Sequence, residues 1–430
     1  MHSLFARAPG ATWPALNLSL SGSFPGLYEL TDLDTPPHAL AAHVDLARAA
    51  ANEGAASLVN AVLRKAADLH AKGALPDAVA EADAVAAAST KSPSSAARAR
   101  VRALAVSTSH PDWMVKRWLD RFGPDETAAL LAWNNARPGH CLRVVGGPGA
   151  SAADLAATLA EAGATVEPGR FLPADFVRVT AGLGAALAPG GPVATGTAQV
   201  QDEAAGLVVA AALDPRPGES VLDVAAAPGG KALYAAARMG GVGRLVARDV
   251  AASRLRPLET AAVAQGFYGA GRGEADRWDF LSIESGDGRA GPAGPDTPLF
   301  DRVLLDAPCS GTGVLAKRAD LRWQRSPADL AELAALQDAL LDGAAAWVRP
   351  GGLLVYSTCS LEPEENAARV EAFLGRTAGA GFTVEPVPVV AAGLPADLLS
   401  ADGRFLEVLP HRHGADGAFA ARLRRKEEEA

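Results

Sequence analysis

Four short apolar runs constrain this chain more than any other feature. They are Ser220–Ala225, Leu245–Val250, Phe300–Asp306 and Leu353–Thr358, with helix-forming text between them. Between the last two, Ser326 is a candidate N-cap, Pro327 suits the first helical position, and Asp329 and Glu332 suit the positive end. Leu330, Leu333, Leu340 and Leu341 give that helix one apolar face, and Arg349-Pro350-Gly351-Gly352 stops it. Strand–helix repetition of this kind predicts an α/β fold built on a doubly wound, mostly parallel sheet. Ligands of such sheets bind beyond the carboxyl ends of the strands.

The text before this region divides in two. Residues 1–135 read as an irregular start, rich in proline up to Pro37, followed by an all-α domain. Leu46, Val59, Val62 and Leu63 recur there at helical spacing, and a later helix pair is broken at Gly123-Pro124. Residues 136–196 read as a small α+β insert, with Cys141 in a short strand and a helix over 151–162. The sheet-forming domain is expected over 197–425. The longest uncharged apolar run near the middle, Ala204–Leu213, is far short of the ~18 residues that cross a bilayer. The start lacks a basic segment followed by an apolar one, so no secretory signal is expected, and a reducing cytoplasm is the expected setting. A net charge of −9 argues against a protein that coats nucleic acid nonspecifically, but not against a local basic face.

Three segments at strand ends carry polar chemistry. The first is Val221-Leu222-Asp223-Val224-Ala225-Ala226-Ala227-Pro228-Gly229-Gly230-Lys231, whose small residues allow a ligand close to the backbone at a helix N-terminus. A generic tight turn is the plainer reading. Asp249 ends the next strand, where a carboxylate can take both hydroxyls of a ribose. Together they suggest a cofactor bearing a nucleoside. The other segments are Asp306-Ala307-Pro308-Cys309-Ser310-Gly311-Thr312-Gly313 and Ser357-Thr358-Cys359-Ser360, which hold two of the three cysteines. Cys141 fits a small buried hydrophobe. Cys309 and Cys359 lie instead where a thiol can ionise and attack. With no CxxC pair and too few ligands for a closed site, no metal is expected, and His411 and His413 read as surface polar residues.

The set DVAAAPGGK, LLDAPCSGTGV and YSTCSLEPEEN resembles the RNA (cytosine-5) methyltransferases of the Fmu/Sun/NOL family. Gln201-Asp202-Glu203-Ala204, Leu333-Ala334-Ala335-Leu336-Gln337 and His413-Gly414-Ala415-Asp416-Gly417-Ala418-Phe419 continue the likeness in order. Leu58–Arg64 and Ser109-His110-Pro111-Asp112-Trp113 resemble the NusB-like domain of the bacterial RsmB type, which acts on 16S ribosomal RNA. The resemblance covers roughly residues 38–425. It implies a Rossmann-like methyltransferase sheet and S-adenosylmethionine as cofactor. It makes Cys359 the thiolate that adds to carbon 6 of cytosine, Cys309 a helper in proton removal and release, and Asp306 a contact to the base edge near nitrogen 3. The cofactor is expected along Ala225, Ala226, Ala227, Pro228, Gly229, Gly230 and Lys231, with its ribose on Asp249 and Asp306 beside it.

Four departures from the family pattern stand out. Ala225 replaces a frequent cysteine, and Ala418 replaces an aromatic residue. The third strand is expected near 269–276, where Glu274 or Asp276 would face the adenine. The text that matches the helical domain begins only near Leu27, so a shortened domain is expected. The expected partner is RNA, ribosomal above all, and the protein is expected to be a monomer. Basic clusters at Lys91, Arg98, Arg100 and Arg102, at Lys116, Arg117 and Arg121, and at Lys317, Arg318, Arg322 and Arg325 are candidate phosphate contacts. The alternatives are the same chemistry on transfer RNA, or a noncatalytic RNA-binding assembly factor. Intact Cys309, Cys359 and Asp306 speak against the latter.

Overall fold

The computed structural model describes residues 93–136, 139–145, 150–267 and 280–427, with isolated positions between 48 and 72. Lys91, Leu46, Val59, Val62 and Leu63, and both Glu274 and Asp276, lie outside the described residues. The chain divides into two compact units, Met1–Arg137 with Leu315–Arg325, and Pro138–Val314 with Ser326–Ala430.

In the first unit, helices α1 (Pro93–Thr108) and α2 (Asp112–Asn135) pack through Leu104, Met114, Val115, Trp118, Leu130 and Leu131. Gly123, at φ 77°, bends α2 ahead of Pro124, a conformation open to glycine and strained for most residues. His110 is buried against the edge of Trp118 at 5.8 Å between centroids, and burial followed by the charge of Arg322 drives its pKa well down. Arg322 corrects the sequence reading. It is buried, and its two Nη atoms donate to Asn134 O, to Asn135 Oδ1 at 2.7 Å and to Ser109 O at 3.4 Å, serving chain carbonyls and an amide rather than phosphate. Arg102 and Lys116 form exposed ion pairs with Asp112 and Asp120, as solvated helix faces do.

The second unit holds two sheets. The smaller contains β1 (His140–Val144), β2 (Thr165–Pro168), β3 (Phe176–Ala181) and β4 (Ala198–Val200) in the order β2-β3-β1-β4, all antiparallel. Helix α3 (Ala152–Glu161) packs Leu155 and Leu159 onto Leu142, Val177 and Val179. Its N-cap is Ser151, whose Oγ accepts from Asp154 N at 3.1 Å. Cys141 is buried, as expected of a small hydrophobe. The sheet extends past residue 196 because β4 pairs with β1 rather than starting the larger sheet.

After α4 (Glu203–Leu207) the larger sheet runs through β5 (Ser220–Asp223), β6 (Arg244–Asp249), β7 (Leu281–Ser285), β8 (Phe300–Asp306), β9 (Val348–Thr358), β10 (Phe382–Glu385), β11 (Leu406–Val408) and β12 (Ala418–Arg425). The order is β10-β12-β9-β8-β5-β6-β7, with β11 beside β12. Strands β5 to β9 are parallel, and β10 to β12 add antiparallel pairs. Alternate residues serve the two faces. Val221, Leu304, Leu353 and Val355 meet α5 (Gly230–Arg238) and α6 (Ala252–Ala264). Leu222, Val303, Leu305 and Leu354 meet α7 (Pro327–Ala346) and α8 (Ala367–Leu374). Burial on both faces explains why these strands read as continuous apolar runs. Ser326 and Asp329 form the capping box expected at the start of α7. From β5 the chain builds outward to β6 and β7, then returns to place β8 on β5's other side. The crevice at that reversal, past the ends of β5 and β8, is where such sheets receive ligands.

Candidate active site

Strand β5 ends on Asp223 and passes through Ala225–Gly229 into α5. Gly229 has φ 111°, and a Cβ there would lie 2.5 Å from Leu258 Cδ1, so both backbone shape and crowding require glycine. The turn and the ends of β8 and β9 enclose a cavity of about 290 Å³. Its walls include Gln201, Asp223, Ala225, Ala226, Ala227, Pro228, Gly230, Lys231, Asp306, Cys359 and the Asp416-Gly417-Ala418 segment. Asp249 reaches this cavity only indirectly. Its carboxylate accepts from Ala227 N at 3.3 Å and Ala251 N at 3.0 Å, which pins the turn.

Charge converges on the floor. Lys231 Nζ lies 2.6 Å from Asp306 Oδ2, while Asp306 Oδ1 accepts from Ser357 Oγ at 2.7 Å. Burial works against the Lys231 charge, but Asp306, then Cys359 and Asp223, hold its pKa above the usual lysine value. Asp223 is buried beside them, and its Oδ1 has no hydrogen-bond partner among the described residues. Burial, and then repulsion from Asp306, pushes Asp223 up from 3.8 to about 8. The folded protein therefore keeps a proton on Asp223 that the unfolded chain has released. The resulting stability is fully present below 3.8 and is lost as pH rises through about 8. Asp223→Asn should remove a decline of up to about 1.4 kcal/mol per pH unit in that window. Urea unfolding at a series of pH values reads that slope, and an unchanged slope would place the proton elsewhere.

The two expected cysteines come together. Cys309 Sγ and Cys359 Sγ are 3.4 Å apart and half-buried, although 50 residues separate them in sequence. Strands β8 and β9 pair in parallel up to Asp306 opposite Ser357, so the loops that follow them must emerge side by side. Gly313 N donates to Cys359 O at 2.9 Å, and Gly417 N to Gly313 O at 2.8 Å. A Cβ on Gly313 would meet Cys359 O at 2.6 Å, so this close approach also requires glycine. The hydrogen bond to Cys359, burial, and the charges of Cys359 and Glu365 push the Cys309 thiol well up. Cys309 thus keeps its proton and offers it to the sulfur of Cys359. Cys359 lines the cavity, and Cys309, equally half-buried, lies beside it.

Two carboxylates and an amide went unremarked in the sequence reading. The strand beside β6 is β7, over Leu281–Ser285 rather than near 269–276. The carboxylate just past its end is Asp287, with Gly286 N donating to Asp249 O at 3.0 Å. Hydrogen bonds from Arg289 hold Asp287 down at about 2, so it is ionised. The signal was the Gly286-Asp287-Gly288 turn after an alternating segment. Gln201 belongs to a quoted motif but had no role. Arg143 donates to its Oε1 at 2.8 Å, which leaves Nε2 unpartnered beside Gly230. Glu365 is buried behind both cysteine loops. His413 is buried rather than on the surface, its Nδ1 accepting from Leu409 N at 2.8 Å. Among the described residues no group of three or more His, Cys, Asp or Glu is placed to hold a metal, and no helix is long and apolar enough to cross a membrane.

Residues 210–424 match the family model for 16S rRNA methyltransferase RsmB/F. Residues 110–180 match the ferredoxin-like domain of RsmF/B-like methyltransferases, and residues 25–68 match the NusB family. The probable ribosomal RNA small subunit methyltransferase B of Synechocystis sp. is 34% identical over 405 residues, covering 93% of this chain and 81% of its own. The protein of the same name in Bacillus subtilis is 33% identical over 404 residues, with the same coverage. A methyltransferase homologue from Pyrococcus horikoshii superposes with a TM-score of 0.55 at 26% identity, covering 75% of this chain and 97% of its own. The structure of NSun6 from the same organism with SFG gives a TM-score of 0.61 at 20% identity, covering 74% and 99%, a likeness of fold alone.

Proposed function

Because this chain belongs to the 16S rRNA methyltransferase RsmB/F family, we propose that it methylates carbon 5 of a cytosine in small-subunit ribosomal RNA through a covalent cysteine–cytosine intermediate. The observation that carries this reading is the 3.4 Å sulfur pair beside the Lys231–Asp306 ion pair at the cavity.

The cavity suits S-adenosylmethionine. Gly230 leaves the start of α5 open, and two buried polar atoms, Asp223 Oδ1 and Gln201 Nε2, stand ready for partners. Ala225, Ala226, Ala227, Pro228, Gly229, Gly230 and Lys231 would hold its amino-acid end. Asp249 would hold the ribose and Asp287, in place of Glu274 or Asp276, the adenine. When bound, the cofactor supplies an electrophilic methyl group.

The protein's own residues prepare the base. Carbon 5 of cytosine is a poor nucleophile, so Cys359 adds to carbon 6 as a thiolate and makes carbon 5 enamine-like. Cys359 and the Lys231 ammonium interact electrostatically, and Cys309 Sγ lies 3.4 Å from Cys359 Sγ. Asp306, paired with Lys231, meets the base edge near nitrogen 3 and stabilises charge as the adduct forms. Cys309 then serves release of the product. The proton leaves carbon 5 to water while the Cys309 thiol, 3.4 Å from Cys359 Sγ, hydrogen-bonds the departing sulfur. Loss of that proton lets the bond between Cys359 and carbon 6 break and returns the thiolate. The base must leave any helix to reach the sulfur, so the target is an unpaired or everted cytosine.

The test is to incubate the protein with unmodified small-subunit RNA, or with unmodified transfer RNA, and a methyl-tritiated cofactor, then digest to nucleosides. Label in 5-methylcytidine from ribosomal RNA is expected. Label in another nucleoside refutes the chemistry, and label only from transfer RNA refutes the substrate.

A further inference from the structure

Glu365 has no solvent exposure, and its carboxylate is fully engaged. Oε1 accepts from Ser310 N at 2.8 Å and Gln337 Nε2 at 3.1 Å, while Oε2 accepts from the hydroxyls of Ser310 and Ser360, each at 2.5 Å. Ser310 directly follows Cys309, and Ser360 directly follows Cys359. One buried carboxylate is therefore bonded to both cysteine loops, though it lies 55 residues from one and 5 from the other. Its own place is fixed as well. Tyr356 Oη donates to Glu365 O at 2.6 Å, and the amide of Gln337 also reaches Pro308 O, just before Cys309, at 3.0 Å.

A buried charge is tolerated only where its hydrogen-bonding capacity is met, and breaking such a network is strongly destabilising. An apolar side chain could fill this space without tying the loops together. We propose that Glu365 is a positioning residue that clamps Ser310 to Ser360 and so sets the separation of Cys309 and Cys359. The proposal rests on the two-cysteine mechanism but concerns geometry that can be measured without turnover.

Phenylarsine oxide provides that measurement. Two neighbouring thiols give up their protons to its oxygen, forming two arsenic–sulfur bonds and one water, and only a close pair is bridged. In the full-length wild-type chain, intact mass should show one bridging arsenical and protection of Cys309 and Cys359 from N-ethylmaleimide. Glu365→Ala should lose the bridge. Its kcat should fall about 100-fold, the order expected when reacting groups are displaced by ~1 Å, with KM for S-adenosylmethionine within about 3-fold. Glu365→Gln can restore all four hydrogen bonds, its carbonyl accepting the two N–H groups and its amide donating to the two serine oxygens. It should retain the bridge and keep kcat within about 5-fold. The proposal is overturned if Glu365→Ala retains either the bridge or kcat, or if Glu365→Gln loses as much as Glu365→Ala. Should Glu365→Ala not fold, Ser310→Ala replaces it: a loss of about 10-fold in kcat at unchanged KM supports the clamp, and unchanged kcat overturns it. A wild type that bridges the arsenical yet does not methylate cytosine would sink the mechanism while leaving the clamp standing.

Discussion

Cys359→Ala should reduce methyl transfer by a factor on the order of 10⁴ or more, because no other group in the cavity can replace the covalent step. Asp306 is tied to Lys231, and Asp223 is buried with its pKa pushed to about 8. The sulfur beside it, Cys309, is held as a thiol. The loss should not come from unfolding. Cys359 is half-buried, and its backbone contact to Gly313 N does not depend on the side chain. Stability should change by no more than about 1 kcal/mol. Tritium incorporation into unmodified small-subunit RNA reads the first quantity and thermal unfolding the second. Full activity in this variant would remove the nucleophile from the scheme.

Cys309→Ala should give the opposite kind of failure. Addition of Cys359 to the base remains available, but proton removal and release are impaired. The variant should lose about 10²- to 10⁴-fold in turnover, the range expected for a missing acid–base group, and accumulate a covalent protein–RNA species. A denaturing gel separates that species from free protein. The double variant lacking both sulfurs should show none. The contrast depends on inequivalent sulfurs 3.4 Å apart, Cys359 lining the cavity and Cys309 held as a thiol beside it. Normal turnover without an adduct would reassign Cys309 to a packing role. Cys309→Ala also deletes a hydrogen-bond donor to the nucleophile, so addition itself should slow, though less than release.

Much of the site could be read from residues in a row. The runs Phe300–Asp306 and Leu353–Thr358 announce central strands because both faces are buried, and the motifs directly after them hold Cys309 and Cys359. The capping box at Ser326 and Asp329 is equally local. β7 was misplaced for a related reason. It ends the sheet, and apart from Leu281 its residues are only partly buried or exposed, so it lacks the apolar run of an inner strand. Asp287, just past it, was missed with it. Arg322 looked like a phosphate contact because charge is read as surface, yet it is buried and its two Nη atoms donate to Ser109, Asn134 and Asn135 about 200 residues earlier.

Taken alone, the order of residues determined the alternating elements, the turn that needs Gly229, and the two sulfur-bearing loops, since each depends on neighbours within a few positions. Only tertiary structure decided that Lys231 meets Asp306, that Arg143 turns Gln201, and that Glu365 in an acidic stretch is buried and bonded to serines of both loops. The reason is physical. A side chain's charge, burial and partners depend on whatever the sheet order brings beside it. Parallel pairing of β8 with β9 brings together groups 50 residues apart that no local pattern relates.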